Sequence, residues 1–206
     1  MMNGFLIFLF LMFMIILVNI EPVSAHTMDI VDDYKIEIAW MKHPRSDTEN
    51  TIEVFVSLAT EKDKKMAESM SQMNMKKINK IEFSEGISEL DLRAELVRKE
   101  KKLFFDLIAD PNVPGRYFSK VTPWTHGNYQ VNIIGAIDET NLSIGLHPAR
   151  VKPMPPIKQL QNGISITEVI CDEDLILVKK PTKPAVVCVK ENTSQILIQR
   201  GWELMN

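Results

Sequence analysis

Four histidines and a run of methionines are the side chains of this sequence best suited to chemistry: His26, His43, His126 and His147, with Met66, Met70, Met73 and Met75. His26 directly follows Val23-Ser24-Ala25, a small-x-small ending typical of a signal-peptide cleavage site. A chain cut after Ala25 starts with a histidine whose α-amine and imidazole together chelate Cu(II). An imidazole from His43 or His126 then completes a tetragonal nitrogen set. The thioethers of Met66, Met70 and Met73 are soft ligands that suit Cu(I). Bland readings exist for both groups. No H-x-H or H-x3-H spacing occurs, so unrelated surface or turn histidines account for the first. Met66, Met70 and Met73 fall at i, i+4 and i+7, the spacing of an adaptable packing face. No cofactor is expected on the leading reading, and copper belongs to the alternative.

Catalytic frames are missing from the sequence. It has no G-x-S-x-G elbow, no H-E-x-x-H helix and no glycine-rich phosphate loop, with eight glycines in all. Asp32, Asp33, Asp172, Glu173 and Asp174 lie in turn-like runs, where solvated charge explains them. Cys171 and Cys188 are the whole thiol inventory, and in an exported chain an even pair reads as one disulfide. A protein without enzymatic activity is expected. Two sequons, at Asn141 and Asn192, offer glycan acceptors in an exported protein.

Residues 4–20 form an apolar run broken only by Asn19. That length falls between a signal-peptide core of roughly 7–15 residues and a spanning helix of about 20. A cleaved signal peptide and a retained membrane anchor both fit, and the Val23-Ser24-Ala25 ending favours cleavage. Either way residues 1–25 are targeting material and the remainder is extracytoplasmic, touching a membrane only through this segment. The 27 acids include Glu21, so the exported part carries 24 Lys and Arg against 26 Asp and Glu. Such a balance lacks the basic face that nucleic-acid binding requires. Cell-envelope or surface proteins are the expected partners.

The elements that must position these side chains are mostly strands. Tyr34, Ile36, Ile38 and Trp40 alternate with Lys35, Glu37 and Ala39, the period of a half-buried strand. If residues 27–31 pair with this strand across Asp32-Asp33, His26 and His43 emerge at the same end of a hairpin. Residues 51–58, 102–108, 116–121 and 129–137 read as further strands, bounded by Asp110-Pro111-Asn112, Pro114-Gly115, Pro123 and Gly127-Asn128. Short strands at this spacing predict an antiparallel sandwich over residues 26–150. Residues 61–80 break the pattern and read as an insertion, helical at least in part, with Lys62, Lys65, Lys76 and Lys80 opposite the methionines. A proline-rich linker at 151–158 leads to a small module over 159–206. There residues 167–180 and 185–190 read as a hairpin, followed by a helix over 194–199 that Asn192 or Thr193 caps and Gly201 stops. With Cys171 and Cys188 on adjacent strands, a bridge closing this loop contributes about 3 kcal/mol.

At this point the chain resembles known exported domains. The stretches AHTMDIVDDYKIEIAW, NTIEVFVSL and VPGRYFSKVTPWTHGNYQVNIIGAI are similar to an immunoglobulin-like domain of the YtkA/FixH type, and more distantly to periplasmic copper-resistance carriers. The matching features are the Ala-His start, the strand ending at Trp40, Asn50 before the next strand, and two G-x-Y turns, Gly115 to Tyr117 and Gly127 to Tyr129. In such turns the glycine supplies the bend and the tyrosine re-enters the core. The tail, with Cys171, Cys188-Val189-Lys190, Thr193 and Arg200-Gly201-Trp202, resembles a small module at the C-termini of exported proteins of ammonia-oxidising archaea. The resemblance implies a mainly β, immunoglobulin-like sandwich with a disulfide-pinned hairpin-helix module. The function expected is non-enzymatic binding or assembly at the cell surface, with a copper-binding carrier using His26 as the alternative.

Overall fold

In the computed structural model, residues 27–72, 85–182 and 185–205 are described. The targeting run, His26, Met73 and Met75 lie outside them. No helix among the described residues is long and apolar enough to cross a membrane. Strands β1 (Thr27–Val31) and β2 (Tyr34–Trp40) form a hairpin across Asp32-Asp33, with Thr27 opposite Ile38 and Val31 opposite Tyr34. Next come β3 (Asn50–Leu58), helix α1 (Glu61–Gln72), β4 (Leu92–Arg98), β5 (Lys101–Ala109), β6 (Arg116–Val121), β7 (Gln130–Ile137) and β8 (Thr140–Leu146). The strands join in the order β1-β2-β3-β6-β5-β4-β7-β8. β5 turns the corner between layers: Lys101 through Leu107 pair with β4, whereas Ile108 and Ala109 pair with β6.

The result is the mainly β antiparallel sandwich that the sequence predicts. Its order is an immunoglobulin-like Greek key, with β2-β3-β6 and the end of β5 standing for A-B-E-D, β5-β4-β7-β8 standing for C′-C-F-G, and β1 added at an edge. Inward side chains from both layers, among them Ile38, Trp40, Val54, Leu96 and Ile133, make one core. The outer strands meet through their turns, where Tyr34 OH donates to Asp138 Oδ2 at 2.6 Å and Thr140 Oγ1 donates to Asp32 Oδ2 at 3.0 Å.

The half-buried pattern expected of β2 needs correction, because Lys35 and Glu37 on its outer face are also buried. α1 is the reason. Thr60 and Asp63 cap it reciprocally, with Thr60 Oγ1 donating to Asp63 Oδ2 at 2.6 Å and Asp63 N donating to Thr60 Oγ1 at 3.2 Å. That cap sets Asp63 3.5 Å from Lys35 Nζ, which is 3.4 Å from Glu37 Oε2. The buried ammonium is thereby paired on both sides. Strands β4 and β8 were not foreseen, since their sequences LRAELVR and TNLSIGL carry weak turn punctuation and charged or polar outer positions.

Two tyrosines tie loops to this core. Gly115 and Gly127 have φ of 79° and 121°, a region that glycine enters without strain, and two residues on Tyr117 and Tyr129 are each buried. Tyr117 OH donates to Ile87 O at 2.8 Å and accepts from Leu90 N at 3.1 Å. Tyr129 OH donates to Thr125 O at 2.8 Å and accepts from Thr125 N at 3.1 Å. Tyr129 stands just before β7, the F-strand position, and forms a tyrosine corner. Burial pushes both phenols up from their ordinary pKa, against the opposing pull of their backbone hydrogen bonds.

The C-terminal region is α2 (Pro156–Gln161), a 3-10 turn at Ile166–Glu168, β9 (Ile176–Lys180), β10 (Ala185–Val189), α3 (Glu191–Gln199) and β11 (Glu203–Leu204), with strand order β10-β9-β11. Residues 167–175 are not strand, contrary to the expected hairpin. Ser165 and Glu168 form a capping box, and Ile170 N is engaged by Gln159 Oε1 at 2.9 Å, so this backbone has no ladder to join. Cys171 therefore precedes β9, while Cys188 lies on β10, and the two are joined with Cα atoms 5.6 Å apart. α3 begins three residues earlier than expected, with Lys190 at its N-cap and Asn192 and Thr193 inside the first turn. Glu191 in that turn favours the helix N-terminus electrostatically. The helix does stop at Gly201, where Trp202 N bonds Leu197 O and Gly201 N bonds Ile198 O in a Schellman closure.

Replacing Tyr129 by Phe strands the N–H and C=O of Thr125. Urea denaturation should show a loss of about 1–3 kcal/mol, with the disulfide and the far-UV spectrum retained.

Candidate functional site

The loops that carry the histidines gather at one end of the sandwich. Residues 41–49 connect β2 to β3, and Asn50 holds them shut: its Oδ1 accepts from Arg45 N at 2.9 Å, and its Nδ2 donates to Arg45 O and Thr48 O at 2.8 and 2.7 Å. The loop after β6 joins them through Asp47 N and Pro123 O at 2.8 Å. Trp124 packs edge-on against Tyr129 with ring centroids 5.0 Å apart. Arg98 and Lys101 lie over these rings at 5.6 and 4.9 Å. A Cβ at Gly127 would stand 2.3 Å from the Arg98 guanidinium, so a side chain there would displace Arg98 from the Tyr129 ring, and the positive φ favours glycine on its own account.

The chain leaving β8 runs through the same end. Trp40 Nε1 donates to Ala149 O at 2.9 Å, Val151 exchanges hydrogen bonds with Gly127, and Lys152 pairs with the 44–46 backbone. Val151 is fully buried in the sandwich core, and Met154 is buried three residues on. The proline-rich stretch is thus bonded to the sandwich where it begins and to the C-terminal region where it ends. Gln159 completes that second attachment. Its buried amide donates to Met154 O and Ile170 O, both at 2.7 Å, and accepts from Ile170 N, so α2 and the segment before Cys171 are locked together.

An ionic clamp closes the junction. Arg150 Nη1 bonds Asp172 Oδ1, Arg150 Nη2 lies 2.8 Å from Glu173 Oε1, and Lys152 Nζ lies 3.7 Å from Asp172 Oδ2. Asp172 and Glu173 were expected to be solvated turn charges. Asp172 is instead largely buried, with its side chain 19% exposed. Burial pushes its carboxyl up, but the Arg150 hydrogen bond, the Glu173 N–H and Lys152 outweigh this and hold it below the usual carboxylate range. The sequence offered one signal for the clamp: Arg150 and Lys152 flank the start of the prolines, and the acids immediately follow Cys171.

Two concavities flank Arg45. One, of about 360 Å³, lies between the prolines 153, 155 and 156 and the hairpin β9–β10, with Lys152, Asp172 and Cys188 on its walls. The other, of about 430 Å³, is lined by Met41, Lys42, His43, Thr48 and Glu49. His43 and His147 are exposed and His126 is half-buried, all three on the loops of this end. No three His, Cys, Asp or Glu side chains among the described residues come together to hold a metal. The β1–β2 register does bring Thr27 to the end from which the chain continues to His43. Met66 and Met70 lie on α1, which starts at the opposite end of the sandwich, beside Asp33.

Comparison with known protein families, curated proteins and solved structures gives no match. The site therefore stands on its geometry. The disulfide is compatible with a location outside the reducing cytoplasm.

The low folded-state pKa of Asp172 means that its contribution is present above its unfolded pKa, near 3.9, and is lost as pH falls through the lower folded value. Amide exchange at residues 170–175 should accelerate over that acid range in the native chain. Arg150→Ala should weaken the junction by about 1.5–3 kcal/mol at neutral pH and flatten the acid response.

Proposed function

We propose that this protein is an exported, non-enzymatic binding or assembly module of the cell surface, and that its partner seats where the sandwich meets the C-terminal module. The observation that carries this reading is the groove beside Arg45, whose walls come from both bodies and are held in place by the Arg150–Asp172 clamp. Concave sites with apolar walls and a few convergent polar groups favour junctions of this kind. Exposed Ile157 and Ile170 at its rim add apolar surface for a partner. An immunoglobulin-like frame of the YtkA/FixH type is consistent with such a role, since the sandwich supplies rigid support and the loops supply contact.

A photo-cross-linking residue placed at Ile157 or Ile170 should form adducts with envelope components in the native host, and one placed at Ile134 on the outer sheet face should form none. Adducts at Ile134 alone would reverse the assignment.

Copper carriage is the second reading, and the observation that favours it is the shared end of His43, His126, His147 and the start of β1. Its ligand set joins a mature N-terminal His26 to His43 or His126. Chains beginning at His26 should bind Cu(II) at least about tenfold more tightly in calorimetric titration than chains carrying one extra residue before it. Equal binding by the two forms would remove the amine–imidazole chelate.

A further inference from the structure

The junction groove has a chemistry more specific than concavity, and assigning it a ligand class rests on the reading that the partner seats at this end. Its volume of about 360 Å³ is at the lower end of the small-molecule range, roughly 300–1,000 Å³. Two cations, Arg45 and Lys152, and one acid, Asp172, line it; Asp172 is bonded by Arg150 from outside the lining and lies 3.7 Å from Lys152 Nζ, a looser contact, so the lining keeps one positive charge in excess. Arg45 has five N–H donors, of which one bonds Pro153 O at 3.0 Å. The remaining walls are apolar: Met154 and Val186 are buried beneath, and Ile157 and Ile170 stand 43% and 48% exposed at the rim.

Pro153, Pro155 and Pro156 make one wall, and a proline has no N–H to offer. On that wall an extended peptide would find no donors for half of its ladder hydrogen bonds, which leaves the β10 edge as the only strand partner in the lining. A phosphate head brings a charge of about −1.5 to −2, more than the single excess positive charge of the lining balances. A two-oxygen, singly charged head matches one guanidinium and one ammonium, and an aliphatic tail matches the proline and isoleucine surfaces.

We propose that the groove is a binding site for a small amphiphilic carboxylate, with Arg45 and Lys152 holding the head and Met154, Ile157, Ile170 and Val186 receiving the tail. The test is methyl NMR of the disulfide-bonded chain titrated with decanoate and, separately, with decanol as an uncharged probe of similar length. Decanoate should shift the Ile157 and Ile170 methyls and bind about tenfold more tightly than decanol. Lys152→Gln should shrink that preference, and Val187→Trp, which fills the groove, should abolish both interactions while the core methyls of Ile36 and Val54 stay unmoved. Equal affinity for the two probes would overturn the assignment of the head. Absence of shifts at Ile157 and Ile170, or shifts confined to Ile134, would overturn the site. Either failure is distinct from that of the broader reading, which is scored by cross-links at Ile157 and Ile170 to whatever partner is present.

Discussion

The interaction on which the rest of this molecule's surface depends is the ion pair between Arg150 and Asp172. Arg150 leaves the sandwich immediately before Val151, which is buried in the core, and Asp172 follows Cys171, which is bridged to β10. One charged contact thereby couples the Greek-key core to the disulfide. Its partly buried setting matters, because a surface pair is worth little, whereas a shielded arginine whose two terminal nitrogens bridge Asp172 and Glu173 fixes an orientation. Lys152 and Glu173 extend the pair into a network of two cations and two acids, so neither charge is left uncompensated in the junction.

The C-terminal region needs such help. Beyond Met154 its buried apolar side chains among the described residues are Leu177, Val178 and Val186, too few for a self-sufficient core. Specific polar contacts make up the difference. Gln159 satisfies its amide with three backbone groups, and Gly163 and Gly201 close α2 and α3 without side-chain caps. The sandwich applies the same device where its loops must hold still: Asn50 shuts the 41–49 loop, and Tyr117 and Tyr129 hold loop backbone from within the core. Gln159, Tyr117 and Tyr129 are buried polar groups whose alternative, an unpaired donor or acceptor, would cost more than ordering them.

Much of the frame was legible in the sequence because it rests on local pattern. The Tyr34 to Trp40 alternation, the G-x-Y turns and the Pro-Gly and Gly-Asn punctuation marked real strands and bends. The errors share a cause. Val169, Ile170 and Cys171 extend the apolar pattern of β9 backwards and so resemble strand, but Ser165, Glu168 and Gln159 claim this backbone first. Lys35 and Glu37 read as solvent-facing because nothing in β2 itself reports that Asp63 of α1 will pair with Lys35, or Lys35 with Glu37. Arg150 and Asp172 are 22 residues apart and meet only through the path of the prolines, a tertiary fact with no local signature. The histidines were visible as residue types, but their shared end follows from strand directions and loop order, not from spacing.

What this architecture provides is a sandwich carrying a small body in fixed orientation, with a groove between the two. The central claim is that fixity. Residual dipolar couplings measured on backbone amides of the sandwich strands and of β9, β10 and α3 test it most directly. A fixed junction predicts that both sets fit a single alignment tensor. Separate tensors, or couplings in the C-terminal body scaled down by independent motion, would contradict it.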